Sequence, residues 1–441
     1  MSADPSAANV TASLPRFGVR DTRRATVLAF LAWTFAVYDY ILFGTLLPEM
    51  SKTFGWSNAT ASLVSTLVSV GTAIVVLVVG PIVDRIGRRR GMILTVAGTA
   101  VSSAASAATP GIGFLVGVRA LSGLGLSEQA INATYLNEVY AVTEDEKIKR
   151  RRGLIYSLVQ GGWPVGVLIA SGFVAIFLPI VGWRGCFLLA FVPAVIIALL
   201  CRKLKESPQF ELELKLRAMR KEGRAAEADA LGASYGLVKQ ESAGLVAIFQ
   251  GSALRNTLVL GLCWLVNWFG IQVFSVLGTT VLTEGKGVSF TNSLLMLVVI
   301  NAVGYLGYVF HGWAGDRFGR RNVIAVGWVL SGVLFGLMLA VAQGSVAVVL
   351  LYSFGMFFLI GPYAALLFYM GECYETRCRA TGTAFLSALS QPGAIVAGVI
   401  VTSMLASGQT WNTAALVVGA LGILVSGLLM FTARTAETLK G

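Results

Sequence analysis

Histidine, charge and cysteine are scarce in this chain, and each scarcity excludes a class of function. Of 441 residues only one, His311, is a histidine, and only 13% are charged. A single histidine removes most catalytic dyads, and no nucleophile and base at useful spacing and no phosphate loop is found, so an enzyme is not expected. The five cysteines lie mostly in or beside apolar runs without metal-ligand spacing, so neither zinc, a disulfide nor another cofactor is predicted.

Apolar residues dominate the composition. They make up 56% of the chain, and its mean hydropathy is +0.76. A water-soluble fold could not bury so much apolar surface, so the lipid bilayer is the expected solvent. The net charge of +12 lies in short clusters between apolar runs rather than on one face, which argues against nucleic-acid binding. Nothing in the sequence demands an oligomer, so a monomer is expected.

Twelve apolar runs are long enough to cross a bilayer as helices. Each needs roughly 20 residues, because lipid offers no hydrogen bonds to the backbone. We place the runs near residues 25–48, 57–82, 91–110, 112–139, 153–179, 183–202, 255–282, 290–315, 322–342, 345–371, 380–406 and 411–433.

Lysine and arginine cluster before the first run and after runs two, four, eight and ten. The opposite loops carry only Lys52, Arg184 and Lys286. Cytoplasmic loops retain basic residues, so both termini are predicted to be cytoplasmic. The expected location is the plasma membrane, which would be the inner membrane in a bacterium.

Composition also divides the chain into segments. Residues 1–24 are small, polar and basic and lack the pattern of a signal peptide, so a cytosolic tail is expected. Residues 203–254 are charged and helix-prone, as in a cytosolic linker. They separate two six-helix bundles, 25–202 and 255–433, and a cytosolic tail follows at 434–441.

Two loops in the chain are near copies of each other. Residues 80–90 read GPIVDRIGRRR and residues 312–322 read GWAGDRFGRRN, about half the chain apart. Each copy lies between two apolar runs, at the end of runs two and eight. The spacing indicates a duplicated membrane protein.

With twelve spans and a charged central loop, these repeats resemble the major facilitator superfamily. RALSGLGLSE on span four, ESPQF after span six and GECYETRCRATGTA between spans ten and eleven agree with it. YDYILFGTLLPEM on span one is similar to organic-acid:proton symporters of the sialate and aromatic-acid types, and other motifs look like sugar porters. Lys205 and Glu375 depart from the sugar-porter pattern, which usually has proline at each position. The resemblance implies an all-α membrane fold of two pseudo-symmetric six-helix bundles.

By the same resemblance, the repeated loops would form a cytoplasmic gate. Each aspartate would pair with a helix start across the interface between the halves, where the helix dipole favours an anion. The glycine that opens each repeat would let two helices approach closely. Alternatively, the arginines only enforce topology and contact anionic lipid. The gate candidates are Gly80, Asp84, Arg85, Gly87, Arg88, Glu138, Arg152, Asp316, Arg317, Gly319, Arg320, Glu372 and Arg379.

Ionisable residues deep in a membrane span are functional candidates, since each costs about 2.5–3.5 kcal/mol to insert. Asp39 on span one and Arg119 on span four fall at nearly the same depth when counted at 1.5 Å per residue. Proton-coupled sugar porters carry an Asp and an Arg at matching positions. The carboxylate would release its proton beside the arginine and regain it when the arginine turns to an anionic substrate. A static ion pair is the alternative.

Glu128 is a second candidate for the proton site. It lies nine residues from Arg119, about half a turn around the helix, so the two side chains should not face the same way. Glu128, Asn132 and Tyr135 form a polar stripe at helical spacing. A hydrogen-bonded contact between helices is the alternative role for this stripe.

Amide and aromatic residues on the spans that line the cavity in this superfamily are candidate substrate ligands. An unpaired amide in hydrocarbon is costly, which favours the cavity for the amides. His311 is expected to pack at a helix end. The substrate-binding candidates are Tyr38, Arg119, Asn132, Gln160, Trp163, Asn267, Trp268, Gln272, Asn301, Tyr305, Tyr363 and Gln391.

One buried cation among aromatic and amide groups suits a small monocarboxylate or an aromatic acid. The leading hypothesis is therefore proton-coupled symport of a small organic anion by alternating access. The alternatives are proton-antiport efflux of a drug or metabolite and proton-coupled sugar transport. A non-transporting receptor would need long signalling tails, which the sequence does not show.

Overall fold

The computed structural model describes residues 17–234, 245–374 and 378–434. Helices account for the regular structure in these ranges, apart from one isolated β-bridge between Phe17 and Thr143. The protein is therefore an all-α membrane protein, as the sequence predicts.

The first part of the chain is built from long helices, most of them joined by short turns. They are α1 Val19–Phe54, α2 Asn58–Ile86, α3 Arg88–Ala107, α4 Ile112–Ala120, α5 Ser122–Val142, α6 Glu146–Gln160 and α7 Gly162–Cys201, followed by α8 Pro208–Lys221 and α9 Ala225–Ser234.

The second part contains more irregular helices. After a 3₁₀ turn at Leu245–Phe249 come α10 Gly251–Gly270, a π-helix Ile271–Val276, α11 Gly278–Thr280, a second π-helix Val281–Gly285, α12 Phe290–Phe318, α13 Arg320–Ala340, α14 Ser345–Ile360, α15 Tyr363–Glu372, α16 Arg379–Ala388, α17 Ser390–Ala406, α18 Trp411–Ala414, a third π-helix Ala415–Ala420 and α19 Leu421–Met430.

These helices cover all twelve predicted spans. Nine helices within the described ranges are long and apolar enough to cross a membrane. One of them, Ile155–Cys201, holds spans five and six, which Gly182 separates by its left-handed φ of 66°. The other two spans, α3 and the pair α4–α5, carry many hydroxyl groups and the charges of Arg119 and Glu128.

Buried apolar side chains form two large clusters. One extends through both halves of the molecule, and the other fills part of the first half alone. Other apolar side chains, such as Leu77, Ile180 and Val346, are exposed on the outside of the bundle. In a bilayer these side chains face lipid, so their exposure costs nothing.

We call the face that carries the repeated loops the inner face, following the predicted orientation, and the opposite face the outer face. Helix α2 packs on α17, α7 on α12 and α1 on α11. Among the described residues, the side-chain hydrogen bonds between the halves lie from mid-membrane outward. They join Asn58 to Glu284 at 3.4 Å, Ser62 to Thr402 at 2.8 Å, Gln272 to Ser65 at 3.3 Å and Trp163 to Ser275 at 3.0 Å. The halves are thus closed together on the outer side.

Gly44 marks the tightest backbone approach in this contact. A Cβ atom at Gly44 on α1 would collide with the carbonyl oxygen of Val276 on the π-helix that continues α10. The glycine is therefore required for the two halves to meet as they do.

Replacing Gly44 by alanine should destabilise the protein by about 1–3 kcal/mol, because backbone atoms cannot move aside as a flexible side chain can. The unfolding temperature in detergent measures this. Gly117→Ala is the matched control, since nothing lies within 4 Å of its Cβ position and alanine favours the helix. Equal unfolding temperatures for the two variants would contradict the prediction.

Candidate functional site

Asp39 and Arg119 meet in a buried ion pair inside the first half. Arg119 Nη2 lies 3.1 Å from Asp39 Oδ2 and donates to the Asp39 carbonyl oxygen at 2.8 Å. Ser103 on α3 also donates to Asp39 Oδ1. The side chain of Arg119 is fully buried and that of Asp39 nearly so. Counting residues along spans one and four placed Asp39 and Arg119 at one depth, and the structure shows the two side chains in contact.

The surroundings of Arg119 all belong to the first half. Its guanidinium lies over the rings of Phe43 on α1 and Phe187 on α7, with its central carbon 5.8 and 5.5 Å from their centroids. Its Nε has no hydrogen-bond partner in the part of the chain that the structure describes. The structure therefore places Arg119 within the first bundle and not on the surface between the halves, where a substrate ligand was expected.

Glu128 belongs to a different network from Arg119. It accepts a hydrogen bond of 2.6 Å from Thr95 on α3, while its second oxygen has no partner. No ion pair among the described residues includes it. Helix α5 begins at Ser122, after a turn at Leu121, so counting residues along one continuous helix does not give the angle between Glu128 and Arg119. The neighbours of the two side chains are nevertheless different.

The rest of the polar stripe also contacts other parts of the first half. Asn132 donates to the carbonyl oxygen of Ala29 on α1 at 2.7 Å, and Tyr135 donates to that of Lys205 at 2.9 Å. Asn132 is completely buried. The stripe is a helix contact in this structure, and Asn132 is not brought to the interface.

Tyr38 and Gln160 likewise contact their own half. Tyr38 packs edge-on against Phe173, with centroids 5.5 Å apart. Gln160 donates to the Tyr156 hydroxyl at 2.9 Å and accepts from Gln129 at 3.0 Å. These bonds occupy both the nitrogen and the oxygen of the Gln160 side-chain amide.

Trp163 of the first half contacts the second half directly. Its ring lies edge-on to Trp268 at 5.9 Å, and its Nε1 donates to Ser275. On its other side it contacts Trp33 and Tyr40 of α1, at 6.1 and 6.4 Å. An aromatic cluster therefore crosses the middle of the interface.

Helix α10 contributes a polar face beside this cluster. Trp264, Asn267 and Trp268 follow at i, i+3 and i+4 and so share one side of the helix. Asn267 Oδ1 accepts from the Tyr363 hydroxyl at 2.7 Å, and the Tyr363 ring also contacts that of Trp264. Tyr305, on α12, lies against the position of Gly161 in the first half.

Several buried polar atoms in this region have no hydrogen-bond partner. Such atoms are rare in proteins, and a water or a bound polar group is one way in which they are satisfied. Among the predicted substrate ligands of the second half, the unpaired atoms are Asn267 Nδ2, Trp268 Nε1, Gln272 Oε1, Asn301 Oδ1 and Gln391 Oε1. The Nε1 atom of Trp264, which was not a predicted ligand, is also unpaired among the described residues.

The two repeated loops form matching charge clusters at the inner face. Arg88 lies 3.5 Å from both Asp84 and Glu138. In the second copy Arg320 lies 2.9 Å from Asp316 and also pairs with Glu372. Glu138 and Glu372 thus pair with arginines of the repeated loops. The sequence had instead suggested Arg152 and Arg379 as their partners, and the side chains of these two arginines lie outside the described residues.

Other gate candidates have varied placements. Gly87 and Gly319 have positive φ values of 98° and 86° and connect consecutive helices, which requires glycine. Gly80, in contrast, has nothing within 4 Å of its Cβ position, so the close packing expected there is wrong for this structure. Arg85 is exposed, and Arg317 lies over the rings of Trp313 and Phe318.

Sequence reasoning missed the partners that helix α3 and the linker supply. Ser103 and Thr95 hold the two buried carboxylates, and the run of hydroxyl residues on α3 was the available signal. Glu206 accepts a bond of 2.9 Å from the Arg89 backbone, which ties the linker to the first repeated loop. His311 is buried and bonds the Gly307 carbonyl at 2.8 Å, in keeping with a packing role.

The comparisons with known proteins agree with this architecture. The family model described as Major Facilitator Superfamily matches residues 26–310. The chain is 27% identical to a 4-hydroxybenzoate transporter, PcaK, of Pseudomonas aeruginosa, over 88% of this chain and 87% of that protein. It is 27% identical to a gallate transporter of Pseudomonas putida, over 87% and 85%. It is 26% identical to a niacin transporter, NiaP, of Acinetobacter baylyi, over 85% of each chain.

A solved structure shares the fold. The inward-open xylose transporter XylE from E. coli superposes with a TM-score of 0.70, covering 94% of this chain and 97% of that one at 18% identity.

The two buried carboxylates should differ sharply when removed. Asp39→Ala leaves Arg119 buried without its partner, which should cost about 3–5 kcal/mol. Glu128→Gln replaces a carboxyl group that has no cationic partner among the described residues, so the change should stay within about 1 kcal/mol. Chemical unfolding in detergent micelles measures both. A Glu128→Gln loss as large as that of Asp39→Ala would show that Glu128 also has an ionic partner.

Proposed function

Because the chain belongs to the Major Facilitator Superfamily, we propose that it imports a small organic acid together with a proton. The observation that carries this proposal is the buried ion pair of Asp39 and Arg119, a titratable group placed in the hydrocarbon region with one basic partner. The relatives named above are transporters of aromatic acids and of niacin, which favours a small aromatic acid as substrate.

The proposed mechanism uses α1 as the connection between proton and substrate. One side of α1 presents Asp39 to Arg119, while Tyr40 contacts Trp163 and Gly44 contacts Val276 at the interface. Protonation of Asp39 removes the negative charge that attracts Arg119 and so weakens the interaction between α4 and α1. A shift of α1 then changes the contact between the halves. In this scheme Arg119 acts on the substrate indirectly.

The moving units are the bundles 25–202 and 255–433, joined by the linker 203–254. We place the protein as a monomer in the plasma membrane with both termini in the cytoplasm. The basic inner loops support this orientation.

Asp39→Asn keeps the shape of the pair but cannot gain and lose a proton. In liposomes with an imposed pH gradient, acid outside, this variant should fail to accumulate labelled para-hydroxybenzoate. It should still exchange labelled for unlabelled substrate, because exchange needs no net proton movement. Glu49→Gln, a carboxylate paired with Lys52 at the outer end of α1, is the control and should behave as the wild type.

Full accumulation by Asp39→Asn would sink the coupling role of this residue. Glu128→Gln in the same assay then decides whether the unpaired carboxyl of Glu128 is the proton site instead.

We also propose that Asp84 is an inner latch that is open in this state. Its side chain is 73% exposed, and within the described ranges its ion-pair partner is Arg88 of the same loop. At the same time the outer contacts between the halves are formed. Closure of the inner side would bring Asp84 to a helix start of the other half, where a carboxylate contributes about 0.3–2 kcal/mol.

Asp84→Asn should therefore lower the initial rate of uptake several-fold by disfavouring the inner-closed state. Its effect on the unfolding temperature should be small, since the residue is exposed. Glu213→Gln, which breaks an exposed pair on the linker, is the control. An unchanged uptake rate at equal protein density would count decisively against the latch.

A further inference from the structure

Helix α3 carries a column of buried hydroxyl groups that connects two buried carboxyl groups of the first half. Thr95, Thr99 and Ser103 form this hydroxyl column. They follow at intervals of four residues, so they share one side of the helix. Each of the three is 2% exposed or less. The column crosses roughly 12 Å of a hydrocarbon core that is about 30 Å thick.

Each end of the hydroxyl column bonds one of the carboxyl groups. At the outer end, Ser103 donates to Asp39 Oδ1 on α1. At the inner end, Thr95 donates to Glu128 Oε2 on α5 at 2.6 Å. The two carboxyl groups have different immediate neighbours, but one face of α3 therefore links them.

The middle of the hydroxyl column lies where three helices meet. Thr99 Oγ1 is 2.9 Å from the position that a Cβ atom of Gly125 would take, and the Cβ atom of Ala36 is 3.4 Å from that position. Gly125 precedes Glu128 by three residues on α5. Ala36 precedes Asp39 by three residues on α1. Thr99 therefore lies between the two carboxyl groups, about one helical turn from each.

A hydroxyl group can accept one proton and release another, because it has one hydrogen and two lone pairs. Thr95 has two acceptors within reach, Glu128 Oε2 at 2.6 Å and the carbonyl oxygen of Met92 at 3.0 Å. Rotation about its Cβ–Oγ bond turns the hydroxyl from one acceptor to the other. Thr95 therefore has the freedom that a proton relay requires.

The polar path continues from Glu128 toward the inner face. Asn132 and Tyr135 follow Glu128 on the same stripe of α5. The Tyr135 hydroxyl donates to the carbonyl oxygen of Lys205 at 2.9 Å, and Lys205 is exposed at the start of the linker. Polar groups thus extend from the inner end of the hydroxyl column to the inner surface.

The two carboxyl groups differ in their charge partners. Asp39 pairs with Arg119, whereas Glu128 has no ion pair among the described residues. Tyr38 interacts electrostatically with Asp39, and Cys201 with Glu128, and neither is a cation. An unpaired carboxylate in hydrocarbon is costly, so Glu128 is expected to hold a proton when Asp39 does not.

Resting on the proposed function, we propose that Asp39 and Glu128 act in series, as the entry and the exit of a proton path along α3. Asp39 takes up a proton from the outer side, and Glu128 releases its own proton to the inner side. The proton on Asp39 then passes through the hydroxyl column to Glu128. This transfer restores the ion pair of Asp39 and the neutral form of Glu128, so one proton has crossed the path.

Each transfer within the hydroxyl column exchanges one proton for another. A hydroxyl receives a proton on a lone pair and gives up the proton that it held, so its own charge is unchanged. Successive hydroxyls are one turn, about 6 Å, apart, a distance that two hydrogen bonds through one water molecule span. Water is the co-reactant that this path requires.

Thr99→Val tests the path, because it removes the middle hydroxyl and keeps the shape of the side chain. In liposomes with acid outside, a pH-sensitive dye inside reports the protons that enter with para-hydroxybenzoate. The variant should slow this entry at least about tenfold, since a positioned proton-transfer group contributes a large factor. Exchange of labelled for unlabelled substrate should stay close to that of the wild type. Thr99→Ser restores the hydroxyl and should recover proton entry.

Thr45→Val is the matched control. Thr45 is as buried as Thr99, and each donates to the carbonyl oxygen four residues earlier in its own helix. Thr45 lies outside the hydroxyl column, so its replacement by valine should leave proton entry unchanged. An equal loss in Thr45→Val and Thr99→Val would overturn the path.

Glu128→Gln tests the exit independently and should show the same pattern, slow proton entry with intact exchange. Wild-type proton entry in Thr99→Val or Glu128→Gln would overturn the path and leave the coupling role of Asp39 standing. So would a Thr99→Ser variant as slow as Thr99→Val, or a loss of exchange in Glu128→Gln. Absence of substrate-linked proton entry in the wild-type protein would instead overturn the proposed function.

Discussion

A bilayer offers no hydrogen bonds to the atoms inside it, and this constraint accounts for the placement of many buried polar groups in the protein. The backbone satisfies it by forming helices. Asp39 satisfies it with Arg119 and Ser103, and the side-chain nitrogen of Asn132 satisfies it with the backbone of α1. Some buried atoms have no partner among the described residues, in the first half at Arg119 Nε, Glu128 Oε1 and Asn132 Oδ1 and in the second half on α10 and α12. Unpaired atoms therefore occur in both halves and do not by themselves mark one site.

The features that depend on periodicity and depth were open to prediction from the sequence. Hydropathy located the spans, and residue counting placed Asp39 and Arg119 at one level. The direction of a side chain around its helix was not predictable in the same way. Asn132 turns to α1 because of how α1 and α5 pack, and the break at Leu121 alters the angles along that span. The conformational state also matters. In this structure the halves meet on the outer side, and no described residue lies within 4 Å of the Cβ position of Gly80 at the inner face.

Duplication is preserved at the inner face and lost in the middle of the membrane. Arg88 and Arg320 each join the aspartate of their own loop to a glutamate at the end of span four or ten. The buried ion pair has no such counterpart among the described residues of the second half. That half carries neutral amides and indoles at the interface instead. The ion pairs of the repeated loops are thus shared by both halves, whereas the buried ion pair lies in the first half and the candidate ligand site includes the amides and indoles of the second.

The neutral character of the α10 face has an electrical consequence. Each elementary charge that crosses a potential of 100 mV exchanges about 2.3 kcal/mol with the field. The pair of Asp39 and Arg119 carries no net charge while ionised, and it becomes positive when the carboxylate takes up a proton. In the proposed mechanism, a monoanion bound by neutral donors would restore the balance within the same protein. The loaded and the empty carrier would then both cross the field uncharged, so that the pH difference, and not the voltage, would set how far the substrate is concentrated.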